Sequence, residues 1–303
     1  MVGQYCRPMA IATVNGLSIG YEVLGEGRPW IVTPGGRFSR TSPGVRELAE
    51  ALAERGNRVV VWDRPNTGES DVCFDGDSES AMQADTLAGL LTELDLTPAL
   101  IIGGSGGARV SLLAAARHRE VAAGVALWWV SGGTYGLMTL GTHYCGGSIA
   151  AAWKGGMEAV VALDEWSEVL QRNPSNRQRF LDQDPRRFVA TLEAWMGAYC
   201  ACGDELVPGL PDSSARQLDL PALVFRSGTT DLNHRRETTE QLANLLPRAR
   251  LVDPPWGDNE WNERSAARPG GRGEGLFIGW PQLAPMLTDW AAESVATAGA
   301  EGR

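Results

Sequence analysis

The chain has 303 residues, with 37 acidic side chains against 27 Lys and Arg and a formal net charge of −10. That balance argues against a nucleic-acid ligand and against anionic membrane surfaces. No apolar stretch approaches the length of a membrane span, and the length suits one compact core carrying an insertion.

Residues 1–8 lack a basic start followed by a long apolar region, so no secretion signal is expected and the cytoplasm is the expected compartment. Asn15-Gly16, between apolar alternations, reads as a hairpin turn. An apolar strand at 30–33 runs into Pro34-Gly35-Gly36-Arg37, and helical periodicity follows at 44–55. A strand at 58–62 ends in Asp63-Arg64-Pro65-Asn66-Thr67-Gly68-Glu69-Ser70, and a helix is predicted over 80–94.

The apolar run 99–102 then enters Gly103-Gly104-Ser105-Gly106-Gly107, after which apolar positions continue as a helix to His118. A serine between a buried strand and a helix takes a cramped turn, and flanking glycines remove the Cβ atoms that would collide there. Its hydroxyl is thereby presented at the strand tip. The N–H of Gly106 opens the helix, where it would stabilise negative charge on a reacting carbonyl oxygen.

Near-continuous apolar runs at 121–130 and 222–226 predict strands covered on both faces, and 250–252 predicts the last one. Helices are predicted over 236–246 and 280–295. Between 134 and about 216 strand signals stop and helix-like segments take over, the clearest at 148–163, 165–171 and 185–199. The basic stretch 264–272 reads as a surface loop, and the tail 297–303 as frayed.

In these motifs and their order, nearly the whole chain resembles the α/β-hydrolase fold family. The resemblance implies an α/β architecture: a mostly parallel, doubly wound sheet flanked by helices, with an inserted helical cap. Residues 1–133 and 217–303 would form the core and 134–216 the cap. The segment 34–37 resembles the family's oxyanion loop, which makes the N–H of Gly36 the partner of Gly106, although Pro34 stands where many relatives carry histidine. The segment 63–70 resembles the family's D-x-R-G-x-G-x-S turn, with Pro65 and Glu69 among the departures, so Asp63 is read as structural.

Serine needs a base to accept its proton, and the chain has three histidines. The family's order is serine, then an acid, then a histidine after the final strand. Residues 225–231 resemble the family's strand-G-x-x-D segment, which makes Asp231 the acid. The loop 253–261 contains no histidine: Gly257-Asp258 falls where relatives have Gly-His, and Glu260 lies just beyond. His118 sits about 18 Å along the helix from Ser105, too far to serve it. His234 lies at the same sheet edge as Ser105 and is a candidate base, with Asp258 or Glu260 orienting it from the adjacent loop. His143, at the start of the cap, is a second candidate, as base or substrate contact.

Trp128 and Trp129 end the strand after the elbow helix and are candidates for lining the pocket, followed by Trp153, Trp166, Trp195, Trp256 and Trp261. They lean the expected substrate toward an apolar or aromatic compound. The cysteines at 6, 73, 145, 200 and 202 lack disulfide or zinc spacing and read as thiols. The expectation is a serine-dependent hydrolase acting on an ester, lactone or related carbonyl compound, with no metal or organic cofactor. Two alternatives stay open: a cofactor-free lyase, isomerase or cyclase with Asp258 or Glu260 as base, and a non-catalytic small-ligand-binding protein. The expected partner is a small-molecule substrate, with a homodimer compatible.

Overall fold

Continuous apolar segments pair in the computed structural model into one eight-stranded sheet; the structure describes residues 10–200, 203–266 and 275–301. The strands are β1 (Ala10–Val14), β2 (Leu17–Leu24), β3 (Arg28–Thr33), β4 (Asn57–Trp62), β5 (Ala99–Gly104), β6 (Ala122–Trp128), β7 (Ala222–Phe225) and β8 (Ala249–Val252). Their order across the sheet is β1-β2-β4-β3-β5-β6-β7-β8. β1, β2 and β4 pair antiparallel, with Asn15 and Gly16 at positive φ in the first turn. Every other neighbour is parallel. β5 and β7 are buried along their whole length, as their unbroken apolar sequence requires of strands covered on both faces.

Helices cover the two faces. On one lie α1 (Val45–Ala53) and α12 (Ala284–Glu301), where Val45, Leu48, Leu52, Leu287 and Trp290 pack against Val59, Val61 and Ile102. On the other lie α2 (Glu79–Glu93), α3 (Gly106–Arg117) and α10 (Arg236–Leu245), with Leu87, Leu91, Leu112 and Leu242 against Ile31, Ile101 and Val125. Alternation of strand side chains between faces builds both cores from the same strands.

Between β6 and β7 lie α4 (Thr134–Gly141), α5 (Gly147–Val161), α6 (Ser167–Arg172), α7 (Ser175–Leu181), α8 (Pro185–Gly197) and α9 (Asp212–Ala215). A π-helical turn at Thr142–Gly146 joins α4 to α5, and Gly156 breaks α5 with φ +67°. Asp184 caps α8 through the N–H of Arg187, ahead of Pro185 in the first turn. Trp166, Phe180, Phe188 and Trp195 form a separate core that closes over Val72 and Phe74 of the loop after β4. Trp195 also donates to the carbonyl of Gly76 at 2.9 Å.

Where a loop is expected over 264–272, residues 264–266 are helical: α11 (Glu260–Ala266) extends through Arg264, whose guanidinium binds Glu260 one turn earlier at 2.8 Å. The tail expected to fray from residue 297 is helical as far as Glu301, the end of α12 (Ala284–Glu301); residues 267–272, 1–8 and 302–303 lie outside the described residues. Cys73, Cys145 and Cys200 are thiols, while Cys6 and Cys202 are likewise outside the described residues. Among the described residues no helix is long and apolar enough to cross a membrane.

Candidate active site

β5 delivers Ser105 to the edge of the sheet in a strained turn, with φ +56° and ψ −125°. The glycines around it are required by contact. A Cβ on Gly107 would lie 2.0 Å from the carbonyl oxygen of Thr33, and one on Gly103 would lie 2.6 Å from the backbone of Gly107. The N–H of Ser105 donates to the carbonyl of Trp128 at 3.1 Å, which ties the turn to the end of β6.

His234 meets the serine. Its Nε2 is 2.8 Å from Ser105 Oγ, and its Nδ1 is 2.9 Å from Asp231 Oδ2. The other Asp231 oxygen accepts the N–H groups of Asn233 at 2.9 Å and of His234 at 3.0 Å. One carboxylate therefore folds the loop after β7 and holds the ring. With Nδ1–H directed at Asp231, Nε2 is left to accept the serine proton. Ser105, Asp231 and His234 are all buried, His234 to 1% exposure.

Asp258 does not orient His234. Its carboxylate is exposed, accepting from Arg236 at 2.5 Å and from the Thr229 hydroxyl at 2.9 Å. Glu260 is bound to Arg264. The expected exchange of partners between two loops fails because Asp231, three residues from His234, already occupies Nδ1. The loop after β8 contributes Trp256 and Trp261 instead of a histidine. Trp261 meets the His234 ring edge-on at 4.3 Å, and Trp129 stacks beside it at 6.2 Å.

Trp128 is corrected from pocket to core. It is fully buried against Phe225 and Trp280, with its indole over Gly104. Trp129, with φ +50°, is buried among His234, Trp256, Trp261 and Trp280, so it walls the histidine. His143 is exposed and packs beside the ring of Tyr144 at 5.1 Å; the Ser105 hydroxyl is engaged by His234 alone among the histidines. His118 pairs with Asp85 at 2.7 Å. Trp153 is 79% exposed and Trp195 is buried in the insertion's own core.

The Gly36 nitrogen lies beside Gly106. A Cβ on Gly106 would sit 3.3 Å from the Gly36 nitrogen, and Gly36 itself has φ +56°. Arg64 holds this loop by donating to the carbonyls of Gly36 and of Gly35, the latter at 3.4 Å, and to Gln83 at 3.2 Å. Burial pulls the Arg64 guanidinium down to about 10, offset in part by Glu79 and by Tyr144. Sequence reasoning missed Arg64, together with Arg37, Arg109, Tyr144 and Tyr199; they are dispersed along the chain with no motif to join them. Among the described residues no cluster of His, Cys, Asp and Glu is arranged to hold a metal ion.

Residues 29–128 match the family model described as alpha/beta hydrolase fold. Among curated proteins none matches the chain. Similar solved structures include a thermophilic esterase from Thermogutta terrifontis, 20% identical with TM-score 0.61, the match covering 95% of this chain and 99% of that one. The enol-lactonase from Burkholderia xenovorans LB400 is 21% identical with TM-score 0.57, covering 93% and 100%. A meta-cleavage product hydrolase from Pseudomonas fluorescens IP01 is 17% identical with TM-score 0.57, covering 94% and 97%. At these identities the likeness establishes the fold.

Proposed function

We propose that the chain is a serine-dependent hydrolase of the α/β-hydrolase fold family, acting on esters, lactones or related carbonyl compounds. The observation that carries this reading is the continuous relay Ser105 Oγ, His234 Nε2, His234 Nδ1, Asp231 Oδ2, with contacts of 2.8 and 2.9 Å. In this reading His234 takes the serine proton as Oγ attacks the carbonyl carbon, and Asp231 stabilises the imidazolium that forms. The carbonyl oxygen becomes an oxyanion held by the N–H groups of Gly36 and Gly106. His234 then protonates the departing alcohol, and water, deprotonated by the same ring, releases the acyl group from Ser105.

The helices between β6 and β7 act as a cap that shapes substrate access, a reading supported by their closure over the loop carrying Val72 and Phe74. The half-buried Trp256 and Trp261 beside His234 favour an apolar group on the leaving side. A lyase or isomerase with Asp258 or Glu260 as base loses its support, since both carboxylates are committed to arginines.

The test is His234→Ala. Loss of the general base is expected to lower kcat on a small activated ester by about 100-fold to 10,000-fold. Unchanged turnover would remove His234 from the mechanism.

A further inference from the structure

Arg64 and Arg37 lie at the Gly36 and Gly106 end of the site, and Arg109 is linked to it through Tyr199 and Tyr144. Arg64 Nη1 lies 4.0 Å from where a Cβ on Gly106 would sit. Arg109, one turn along α3 from Ser105, donates to the Tyr199 hydroxyl at 2.8 Å and lies 4.3 Å over that ring. Arg37 donates to the Tyr144 carbonyl at 2.8 Å and lies 4.1 Å over Trp166. The Tyr144 hydroxyl is 3.5 Å from where a Cβ on Gly36 would sit, and its ring is 6.2 Å from Tyr199. Arg37, Arg64, Arg109, Tyr144 and Tyr199 come from five separate segments and are joined by these contacts.

Their charges do not balance. Glu79 approaches Arg37 Nε at 3.7 Å, and among the described residues no carboxylate lies within 4.0 Å of Arg64 or Arg109. Arg64 is 2% exposed and Arg109 6%. The Nε atoms of all three arginines are buried without a hydrogen-bond partner. One carboxylate, Glu79, thus faces three guanidinium groups, and the excess buried positive charge is costly until an anion arrives to share it. Gly36, Arg37, Gly106 and Tyr144 are half-buried and so keep some contact with solvent, whereas Thr33, Pro34, Gly35 and Ser105 beside them are buried.

We propose that Arg37, Arg64, Arg109 and Tyr144 form an anion subsite for a carboxylate on the acyl side of the substrate, which narrows the substrate class to half-esters and lactones of dicarboxylic acids. The proposal rests on the hydrolase reading above. Guanidinium groups match a carboxylate's planar geometry, and the Tyr144 hydroxyl supplies a further donor. The subsite adjoins the Gly36 and Gly106 N–H groups, so the carboxylate would anchor the acyl group while the reacting carbonyl oxygen enters between them.

The experiment compares monomethyl succinate with methyl isocaproate, its neutral isostere, followed by acid release at constant pH. Wild-type kcat/KM is expected to favour monomethyl succinate by about 10-fold or more, and Arg109→Gln to reduce that ratio by about 10-fold. Tyr199→Phe, which removes the hydroxyl but keeps the charge, is expected to retain the preference. Arg37→Gln, at a half-buried position, is expected to lower the same ratio and serves if Arg109→Gln does not fold. A ratio near unity in the wild type, or one unchanged in both arginine variants, overturns the subsite and leaves the hydrolase reading standing. If neither ester is cleaved, the organophosphonate adduct on Ser105 decides the hydrolase reading and calorimetric titration of the Ser105→Ala protein with succinate decides the subsite. Binding of succinate but not succinamide, weakened about 10-fold by adding Arg109→Gln, supports it; no binding of succinate overturns it.

Discussion

Asp231 and His234 are three residues apart in one loop, and their side chains meet at 2.9 Å while the same carboxylate accepts the His234 backbone N–H at 3.0 Å. The acid therefore builds the turn that presents the base. In this arrangement the loop after β8 is released from supplying a histidine, and Trp261 packs against the imidazole from that side.

Asp231→Asn is expected to keep the fold and lose the chemistry. The amide oxygen can still accept the N–H groups of Asn233 and His234, but its NH2 favours the wrong histidine tautomer. A fall in kcat of about 10,000-fold with little change in melting temperature is expected. Steady-state kinetics and a thermal melt check both halves.

Asp258→Asn makes the complementary case. Its carboxylate is exposed and bound to Arg236 and Thr229, so the loss should stay below about 1 kcal/mol in stability, with kcat within about twofold of wild type. A large fall in kcat would return Asp258 to the relay.

Much of this site was legible in the chain. The apolar run before Gly103-Gly104-Ser105-Gly106-Gly107 located the elbow because only glycine tolerates its contacts with Thr33. The position of His234 after β7 brought it to the right sheet edge. Its partner was not legible, because the resemblance separates acid and base onto two loops, and nothing in the spacing of Asp231 and His234 announces that one carboxylate will both cap the turn and hold the ring. Trp128 and Trp129 are adjacent and equally apolar. Only the positive φ of Trp129 and the packing of Phe225 and Trp280 send one beside the histidine and the other into the core. The arginines at 37, 64 and 109 are joined by tertiary packing alone.

Tyr199 gives an alkaline signature. Burial, opposed by Arg109, pushes its phenol up to about 12, whereas in the unfolded chain it ionises near its ordinary value of about 10. Between these values the unfolded chain has shed a proton that the folded chain keeps, so Tyr199 contributes a fall in stability as pH rises through that window. Relative to Tyr199→Phe, the wild type is expected to lose roughly 2 kcal/mol between about pH 9 and about pH 12, read from urea midpoints. Parallel pH curves for the two proteins would contradict the burial of this phenol.

The central claim is that Ser105 is a nucleophile activated by His234, and an organophosphonate that phosphonylates active serines, losing its leaving group from phosphorus, tests it most directly. After reaction, peptide mapping by mass spectrometry is expected to place a stoichiometric adduct on Ser105, absent in Ser105→Ala and slowed about 100-fold or more in His234→Ala. Failure of the folded wild-type protein to form the adduct, or an adduct on another residue that persists in Ser105→Ala, would contradict the account.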